Sequence, residues 1–574
     1  MSDESLSSEL SLSPPGQRVA ASQSLTILVG LAIGVTVFFI LGYNHVLPPG
    51  RIDWLLRPSA TDAYFDPSTE FLGWHFFRRA PWTLPLGLNR TYGMEFGGSI
   101  VFSDSIPLLA ILFKPFSPLM GTNFQYIGIW ILICFLMQGV FGALLASIFT
   151  KRIELKAIIA AFFALSPILL ERGLTEYPLM GHWLILWALY LYFQQRTGRI
   201  RWTWMVIALL AATTSFYFVP MVLIIWMADT LKTLIWRWRS VGWLILEGTA
   251  VLATVLSAMW LAGYFVISVT DAGTDNFGQF ATNLLGPIDS AGRSLIMTAQ
   301  PHGPMWRGEG FCYLGFGIIV LAAMAVHELL RGPAQWRRLL PILPLAAGVL
   351  GLIVFSLSNQ VAWGTHVLIY PDFWGSIGRM FRSSARMCWP GYYAAWLGIF
   401  YLATRGLKSW RAAILLAAML AVQVADYSQE YSNMQRIYRN RDAWKMPLTS
   451  PFWNLAMQKY RQIVVVPSGR AYPFVPVAYL AANHNLPTNG VYVNRYPGGS
   501  VIGPISDARL NALRENRPDR DTLYIIPEPD RFAQLAKGLS KTHGVGVING
   551  YNVIAPYWFA ADEPADGLTP GGSN

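Results

Sequence analysis

The stretch between residues 66 and 107 holds the residue types best suited to chemistry. Two carboxylates, Asp66 and Asp104, stand on either side of a segment rich in arginine and aromatic residues. A carboxylate on the outer face of a membrane can accept the proton of a hydroxyl group or hold a divalent cation. We interpret both as candidate catalytic residues and leave open whether Mg²⁺ or Mn²⁺ is bound. The alternative is a structural cap, because Trp and Tyr favour membrane interfaces in any case.

Side chains of this loop and of other predicted outer segments could bind a substrate, since aromatic faces suit sugar rings. The candidates are Glu70, Trp74, Arg79, Trp82, His182, Arg307 and Glu309. Each has a simpler interpretation. A lone histidine such as His182 is often only a hydrogen-bonding residue at an interface. Arg307 and Glu309 could pair with each other in a turn.

Three arginines precede a late apolar run. Arg379, Arg382 and Arg386 are spaced i, i+3 and i+7, so a single helix would place them on one face. Arginine offers two parallel donors to phosphate oxygens, and the cluster therefore predicts a phosphate or pyrophosphate site. The alternative is ion pairing with carboxylates, for which the candidates are Asp66, Asp104 and Asp372.

The elements that must position these residues are apolar helices. Of the 574 residues, 53% are hydrophobic and only 13% charged, whereas about a quarter are charged in soluble domains. A membrane span needs roughly 20 apolar residues. We predict an α-helical polytopic membrane protein with about eleven spans, at 24–43, 123–148, 155–170, 182–195, 203–216, 217–232, 241–267, 312–330, 339–357, 388–404 and 410–426.

Two segments leave the span count open. Residues 203–232 could form one kinked helix instead of two spans. The apolar run at 106–116 is too short to span and favours an interfacial or re-entrant segment.

Short basic loops follow alternate spans, which predicts a cytoplasmic N-terminus and an outer C-terminal region. The first apolar run is interpreted as a retained anchor, since no typical cleavage site follows it. The formal charge of +11 reflects these loops and not nucleic-acid binding. The predicted partner is the lipid bilayer, and the long outer loops are 44–122, 171–181, 268–311 and 358–387.

The predicted domains follow from these changes in composition. Residues 1–23 form a disordered cytoplasmic terminus, 24–426 the membrane domain, 427–560 a small outer α/β domain and 561–574 a disordered tail. Short apolar runs at 463–466, 491–493, 523–526 and 545–554 alternate with helix-like stretches, which favours a mainly parallel sheet. The Asn549-Gly550 pair allows the last run to be two antiparallel strands instead. The three cysteines are interpreted as buried thiols.

The loop motifs resemble those of a family of uncharacterised bacterial multispanning membrane proteins. They occupy residues 66–74, 76–78, 81–82, 85–87, 103–109, 309–315, 381–386 and 389–390. That family is similar in layout to the GT-C glycosyltransferases, in which an acidic residue of the first outer loop is essential. Asp66 is the nearest match. The chain lacks the adjacent Asp-Glu pair that follows the first span in protein mannosyltransferases.

The resemblance implies a GT-C-like enzyme in the bacterial inner membrane. It would transfer a sugar from a polyprenyl-phosphate donor to a glycan or lipid acceptor of the cell envelope, outside the membrane. A transporter or flippase of a lipid-linked glycan is the alternative, although few ionisable residues lie within spans; Glu247 and His327 are the main ones. A non-enzymatic envelope assembly component is a third possibility.

Overall fold

A computed structural model describes residues 15–58, 66–194, 201–236, 239–267, 277–301, 309–331, 340–468, 473–497, 499–559 and 567–572. The fold is mostly helical, with a small α/β region near the C-terminus. The helices before it, in chain order, are α1 Pro15–Ile40, α2 Asp53–Leu56, α3 Asp66–Phe77, α4 Pro107–Phe113, α5 Ile127–Ala146, α6 Ile153–Ala164, α7 Pro167–Thr175, α8 Trp183–Phe193, α9 Thr203–Thr214, α10 Phe218–Ile235, α11 Val241–Ala262, α12 Phe316–Arg331, α13 Leu343–Ser356, α14 Gly375–Met380, α15 Trp389–Thr404, α16 Ser409–Asp426 and α17 Ser428–Arg439.

Each predicted span contains a helix, but fewer than eleven helices meet the requirements of a span. Within the described residues, α1, α5, α10, α11 and α16 are long and apolar enough to cross a membrane. The pair α6 and α7, bent by 41°, adds a sixth if it is one span. Helices such as α9 are apolar but shorter. Several candidate spans are therefore present, as expected of a membrane protein, whereas the predicted eleven are not clearly so.

Glycines explain why α1 lies so close to α5. Gly30 and Gly34 are one turn apart on α1, and Gly139 faces them from α5. A Cβ atom at any of the three would collide with the backbone of the opposite helix. Small residues at this spacing allow two apolar helices to approach closely and gain packing contacts in the absence of water.

The structure settles the smaller uncertainties about helices. Residues 203–232 form two helices, α9 and α10, separated by a break at Ser215–Tyr217. The short apolar segment is α4, which continues as a 3-10 turn over Lys114–Leu119. The predicted disorder of residues 1–23 is wrong in part, because α1 already begins at Pro15.

Three thiols and a cluster of charged side chains are buried among the helices. The free cysteines Cys134, Cys312 and Cys388 are buried, as predicted. An ion cluster lies where α9 begins beside α10 and α11. We define the α9–α11 ion cluster as Arg201, Asp229, Lys232, Arg239 and Glu247, all of them nearly inaccessible to solvent.

The carboxylates of the α9–α11 ion cluster are fully paired. Arg201 donates to both Asp229 and Glu247. Arg239 Nη1 lies 2.8 Å from Glu247 Oε2, and Lys232 Nζ lies 2.9 Å from Asp229 Oδ1. Glu247 is thus not an isolated carboxylate within a span.

The C-terminal α/β region contains the helices α18 Phe452–Lys459, α19 Val475–Asn483, α20 Gly499–Arg514 and α21 Pro529–Gly538. Its strands are β3 Gln462–Val465, β4 Thr522–Ile525, β5 Gly544–Ile548, β6 Tyr551–Ala555 and β7 Thr569–Pro570. A hairpin earlier in the chain supplies β1 Gln360–Trp363 and β2 His366–Ile369. The five-stranded sheet has the order β3-β4-β6-β5-β7.

The mainly parallel sheet is a wrong prediction, since only β3 and β4 pair in parallel. The alternative hairpin is confirmed: β5 and β6 are antiparallel, and Asn549 and Gly550 both have the positive φ of a tight turn. Residues 491–493 form no strand. The tail is not wholly disordered, because β7 pairs with β5.

The α/β region packs against the end of α3 and the loop between α3 and α4. Glu95 forms an ion pair of 2.6 Å with Arg509, and Tyr92 bridges to Thr488. His75 Nε2 lies 2.9 Å from the Asn483 side chain. The loop and the α/β region therefore lie on the same side of the helices.

Candidate functional site

Helix α3 carries two of the carboxyl groups on one face, one turn apart. Asp66 is its first residue and is partly exposed, whereas Glu70 is only 1% exposed. Glu70 Oε1 accepts a hydrogen bond of 3.2 Å from the Tyr177 amide, and Oε2 has no partner among the described residues. Burial, reinforced by the charges of Asp104 and Asp66, raises the pKa of Glu70 well above its usual value. Burial therefore favours the neutral form of Glu70.

Asp104 faces α3 from a tight turn in which its own backbone has a φ of +50°. Its carboxylate reaches solvent, but protein surrounds it closely enough for burial to raise its pKa to about 6. Asn494, from the α/β region, donates a hydrogen bond to Asp104 Oδ2. Burial and the nearby charge of Asp104 together raise the pKa of Asp66 to about 7. Asp66 thus titrates near neutral pH, as a general base requires.

Beside these acids lies an arginine cluster, in which two arginines pair with two glutamates. Arg386 donates to both oxygens of Glu309, at 2.9 and 2.7 Å, and also to Glu176. Arg172 pairs with the same two glutamates. Although burial opposes ionisation, Arg386 and Arg172 hold the pKa of Glu309 down to about 2. The two arginines and two glutamates of the arginine cluster are therefore paired with one another.

Arg382 differs from Arg386 because it forms no ion pair with a described residue. It is partly buried and makes no hydrogen bond or ion pair with any described residue, yet its charge acts on both Asp66 and Asp104. Arg495 of the α/β region lies close enough for the two guanidiniums to repel. The recorded hydrogen bond of Arg495 goes to the Met380 carbonyl. Both guanidiniums thus have donors to spare for an anion.

The single helix predicted for the three arginines is wrong. Helix α14 ends at Met380, and a 3-10 turn over Ser384–Cys388 carries Arg386. Arg379 is exposed, and its recorded hydrogen bond goes to Ser376. The carboxylates offered as alternative partners are not the ones used, since Arg386 pairs with Glu176 and Glu309. The break in the helix separates the role of Arg386 from that of Arg382.

A family model described as a domain of unknown function, DUF6311, matches residues 31–428 of the chain. The chain belongs to the DUF6311 family. A second model, described as the DUF6311 C-terminal domain, matches residues 452–556. No curated protein matches the chain.

We define the acid–arginine site as Asp66, Asp104, Arg382, Asn494 and Arg495, and it draws on both family domains of this DUF6311 protein. Asp66, Asp104 and Arg382 lie within the first match, and Asn494 and Arg495 lie within the second. The two later residues were missed from the sequence, because an apolar run directly before them was interpreted as a strand. The adjacent polar pair followed by Tyr-Pro-Gly-Gly was the available signal of a loop.

Several predicted substrate-binding residues support the fold instead. Trp74 is buried and donates from its indole to the Phe124 carbonyl at 2.9 Å. Arg79 donates at 2.6 Å to the Ala482 carbonyl and so helps to hold the α/β region. Trp82 is half-exposed, with the Lys114 ammonium 4.6 Å from its ring. None of these three contacts either catalytic candidate among the described residues.

The predictions for His182 and Arg307 have different outcomes. His182 is buried, and its Nδ1 lies 2.7 Å from the Tyr393 hydroxyl, which is the hydrogen-bonding role offered as the alternative. Arg307 lies outside the described residues. Its predicted turn partner, Glu309, belongs to the arginine cluster. No group of three metal-binding side chains occurs in the described part of the chain, so Asp66 and Asp104 remain two candidate ligands without a third.

Proposed function

We propose that the protein is a membrane glycosyltransferase of inverting type, which moves a sugar from a polyprenyl-phosphate donor to a glycan or lipid acceptor of the cell envelope. The observation that carries the proposal is the electrostatic proximity of Asp66 and Asp104, both with raised pKa values, to Arg382, which has no hydrogen bond or ion pair among the described residues. A base that titrates near neutral pH beside an anion-binding cation suits a reaction in which a phosphate leaves.

In the proposed reaction, the acceptor hydroxyl attacks the anomeric carbon of the donor sugar. A new carbon–oxygen bond forms as the bond to the phosphate oxygen breaks, and the electron pair leaves with the polyprenyl phosphate. The hydroxyl proton moves to Asp66. Asp104, held by Asn494, orients the acceptor or a cation, and Arg382 and Arg495 stabilise the charge that develops on the phosphate.

The proposed topology places eleven spans in the bacterial inner membrane, with the N-terminus in the cytoplasm and the α/β domain in the periplasm. Two observations support it. A helix lies at each predicted span. The first outer loop and the α/β region, both assigned to the outside by the basic loops, contact each other. The shorter helices would cross only with help from flanking residues or a locally thinner bilayer.

The transporter alternative has less support. Transport usually needs ionisable groups that can change partners within the spans. Glu247 is held by Arg201 and Arg239, and His327 lies on the exposed side of α12.

The test uses inverted or permeabilised membranes that contain the full chain and a radiolabelled polyprenyl-phosphate sugar. Asp66→Asn is expected to lower transfer by about 100–10,000-fold, because it removes the base. Asp442→Asn is the matched control, since its carboxylate is 77% exposed and lies far along the chain. Unchanged transfer by Asp66→Asn at normal protein abundance would overturn the assignment. Sugar that crosses sealed vesicles without forming a new glycosidic bond would favour the transporter.

A further inference from the structure

Six large apolar side chains stand out from the outer segment between α13 and α15. They are Trp363, Leu368, Ile369, Tyr370, Phe373 and Ile377, each at least 50% exposed. We call these residues the hairpin patch. Contiguous apolar surface of this kind usually marks contact with a partner or a membrane.

The hairpin that carries the patch has an ordered attachment to the rest of the protein. Strands β1 and β2 pair over Gln360–Trp363 and His366–Ile369. The Asn283 side chain bonds the backbone of Gly364 in both directions, at 2.9 and 3.0 Å. Ala362 on the inward face is fully buried. The apolar side chains are thus displayed by a fixed scaffold.

The hairpin patch continues the apolar surface of a neighbouring helix. β1 begins four residues after the end of α13, on which Leu350 is 60% and Val354 is 48% exposed. At the end of α13, Phe355 packs against Trp374, with ring centroids 4.8 Å apart. Exposed apolar side chains thus lie on both the helix and the hairpin that follows it, with the partly exposed Asn359 and Gln360 between them.

The residue types of the patch match the boundary between lipid headgroups and acyl chains. Trp and Tyr concentrate at that depth because one end of each ring is apolar and the other polar. In residues 357–378, the single carboxylate is Asp372, which accepts from the backbone amides of Trp374 and Gly375. Arg379 follows at once, where it could meet an anionic headgroup.

We propose that the hairpin patch inserts into the outer leaflet of the membrane, so that its partner is a lipid surface. The inference rests on the topology proposed above, but it requires neither sugar transfer nor a substrate. An interfacial segment of this type buries its apolar side chains by about 5–10 Å at the headgroup boundary. Arg382, which lies shortly after the patch, would then stand just above the lipid headgroups.

Spin labelling of the full chain in liposomes of phosphatidylethanolamine and phosphatidylglycerol tests the proposal. Labels are placed at Leu368→Cys and, as a matched control, at Val547→Cys. Both residues are in strands and are 62% and 61% exposed, but Val547 belongs to the α/β region. The native cysteines are buried, and unmodified protein gives the background. The measurement is the ratio of collisions with oxygen, which partitions into lipid, to collisions with a water-soluble nickel chelate.

A ratio several-fold higher at residue 368 than at residue 547 is the expected result. Equal ratios would overturn the proposal. Spectral broadening at 368 that disappears on dilution with unlabelled protein would also overturn it, because a second copy would then cover the patch. A third label at Leu350→Cys separates the two proposals. Lipid exposure at 350 with an aqueous 368 contradicts the hairpin insertion alone, whereas an aqueous 350 contradicts the topology.

Discussion

The protein has two groups of buried or half-buried charges, and they differ in how completely they are paired. In the α9–α11 ion cluster, Glu247 receives hydrogen bonds from two arginines and from the Trp226 indole. In the acid–arginine site, Asp66 and Arg382 have no hydrogen bond or ion pair among the described residues, and one oxygen of the adjacent Glu70 is without a partner. A charge left without a partner is costly unless a ligand or solvent supplies one.

The difference teaches that burial of a charge does not by itself mark a functional site. The paired cluster is well explained by its role in holding three helices together. The acid–arginine site combines solvent access with acids and arginines that lack full pairing, which is the arrangement expected of a binding site. Five sets of substitutions can break or sharpen this comparison.

Removal of Arg201 is expected to have the largest effect. Arg201→Met would leave Asp229 and Glu247 short of their shared cation, which should destabilise the fold by about 3–5 kcal/mol. Thermal unfolding in detergent measures the loss. Arg405→Met is the control, because that arginine is exposed and is expected to be neutral. A stable Arg201→Met protein would show that the cluster is not structural.

The same substitution at two buried glutamates compares the groups directly. Glu247→Gln removes a charge that two arginines require and should cost about 1–3 kcal/mol. Glu70→Gln replaces an acid that its raised pKa already keeps neutral, so its cost should be below about 1 kcal/mol. The thermal shifts of the two variants give the comparison. Equal losses would mean that Glu70 is ionised and paired in the fold.

The pH dependence of transfer sharpens the assignment of Asp66. A base with a pKa of about 7 is half-ionised near neutral pH, so transfer should rise as pH increases through about 7. Asp104→Asn removes a nearby negative charge that raises this pKa, and the rise should move to lower pH. The slope of kcat/KM against pH is measured, since the overall rate also depends on Asp104. A rise that stays in place would exclude Asp66 as its source.

The same raised pKa has a consequence for stability with a defined sign. Asp66 binds its proton more tightly in the folded protein than in the unfolded chain. Its contribution to stability is therefore complete at acidic pH and is lost as pH rises through about 7. Asp66→Asn should accordingly unfold at a higher temperature than the parent protein at pH 8, and the two should converge at pH 4.

Loss of the contact from the α/β region is expected to have the smallest effect on transfer. Asn494→Ala removes one hydrogen bond to a carboxylate, worth roughly 1.4 kcal/mol, which corresponds to about a tenfold loss of transfer. Asn494→Asp should lose more, because it places a second carboxylate against Asp104. Equal losses in the two variants would contradict an electrostatic role.

The helices could be predicted from the sequence because long apolar runs leave few alternatives. A helix lies at each predicted span, and Asn549-Gly550 correctly indicated a hairpin. The prediction of a mainly parallel sheet was wrong because the sequence of a short apolar strand does not indicate its pairing direction. Among the described strands only β3 and β4 pair in parallel, and α19 and α20 form the crossover connection between them.

The candidate site was predicted in part. The charge of Arg382 acts on both Asp66 and Asp104 in the structure, whereas their roles in a substrate site stay a prediction. The break after Met380 was hidden, since the arginine spacing fits a continuous helix. Asn494 and Arg495 could not be found from spacing, because nothing local indicates which distant loop a residue will approach.

The contact between Asn494 and Asp104 joins residues 390 positions apart in the chain. During synthesis, α3 and the Asp104 turn leave the ribosome long before the loop that covers them. The acid–arginine site therefore gains Asn494 and Arg495 only when the α/β region folds, so a chain that stops before this region carries Asp104 without its hydrogen-bond donor.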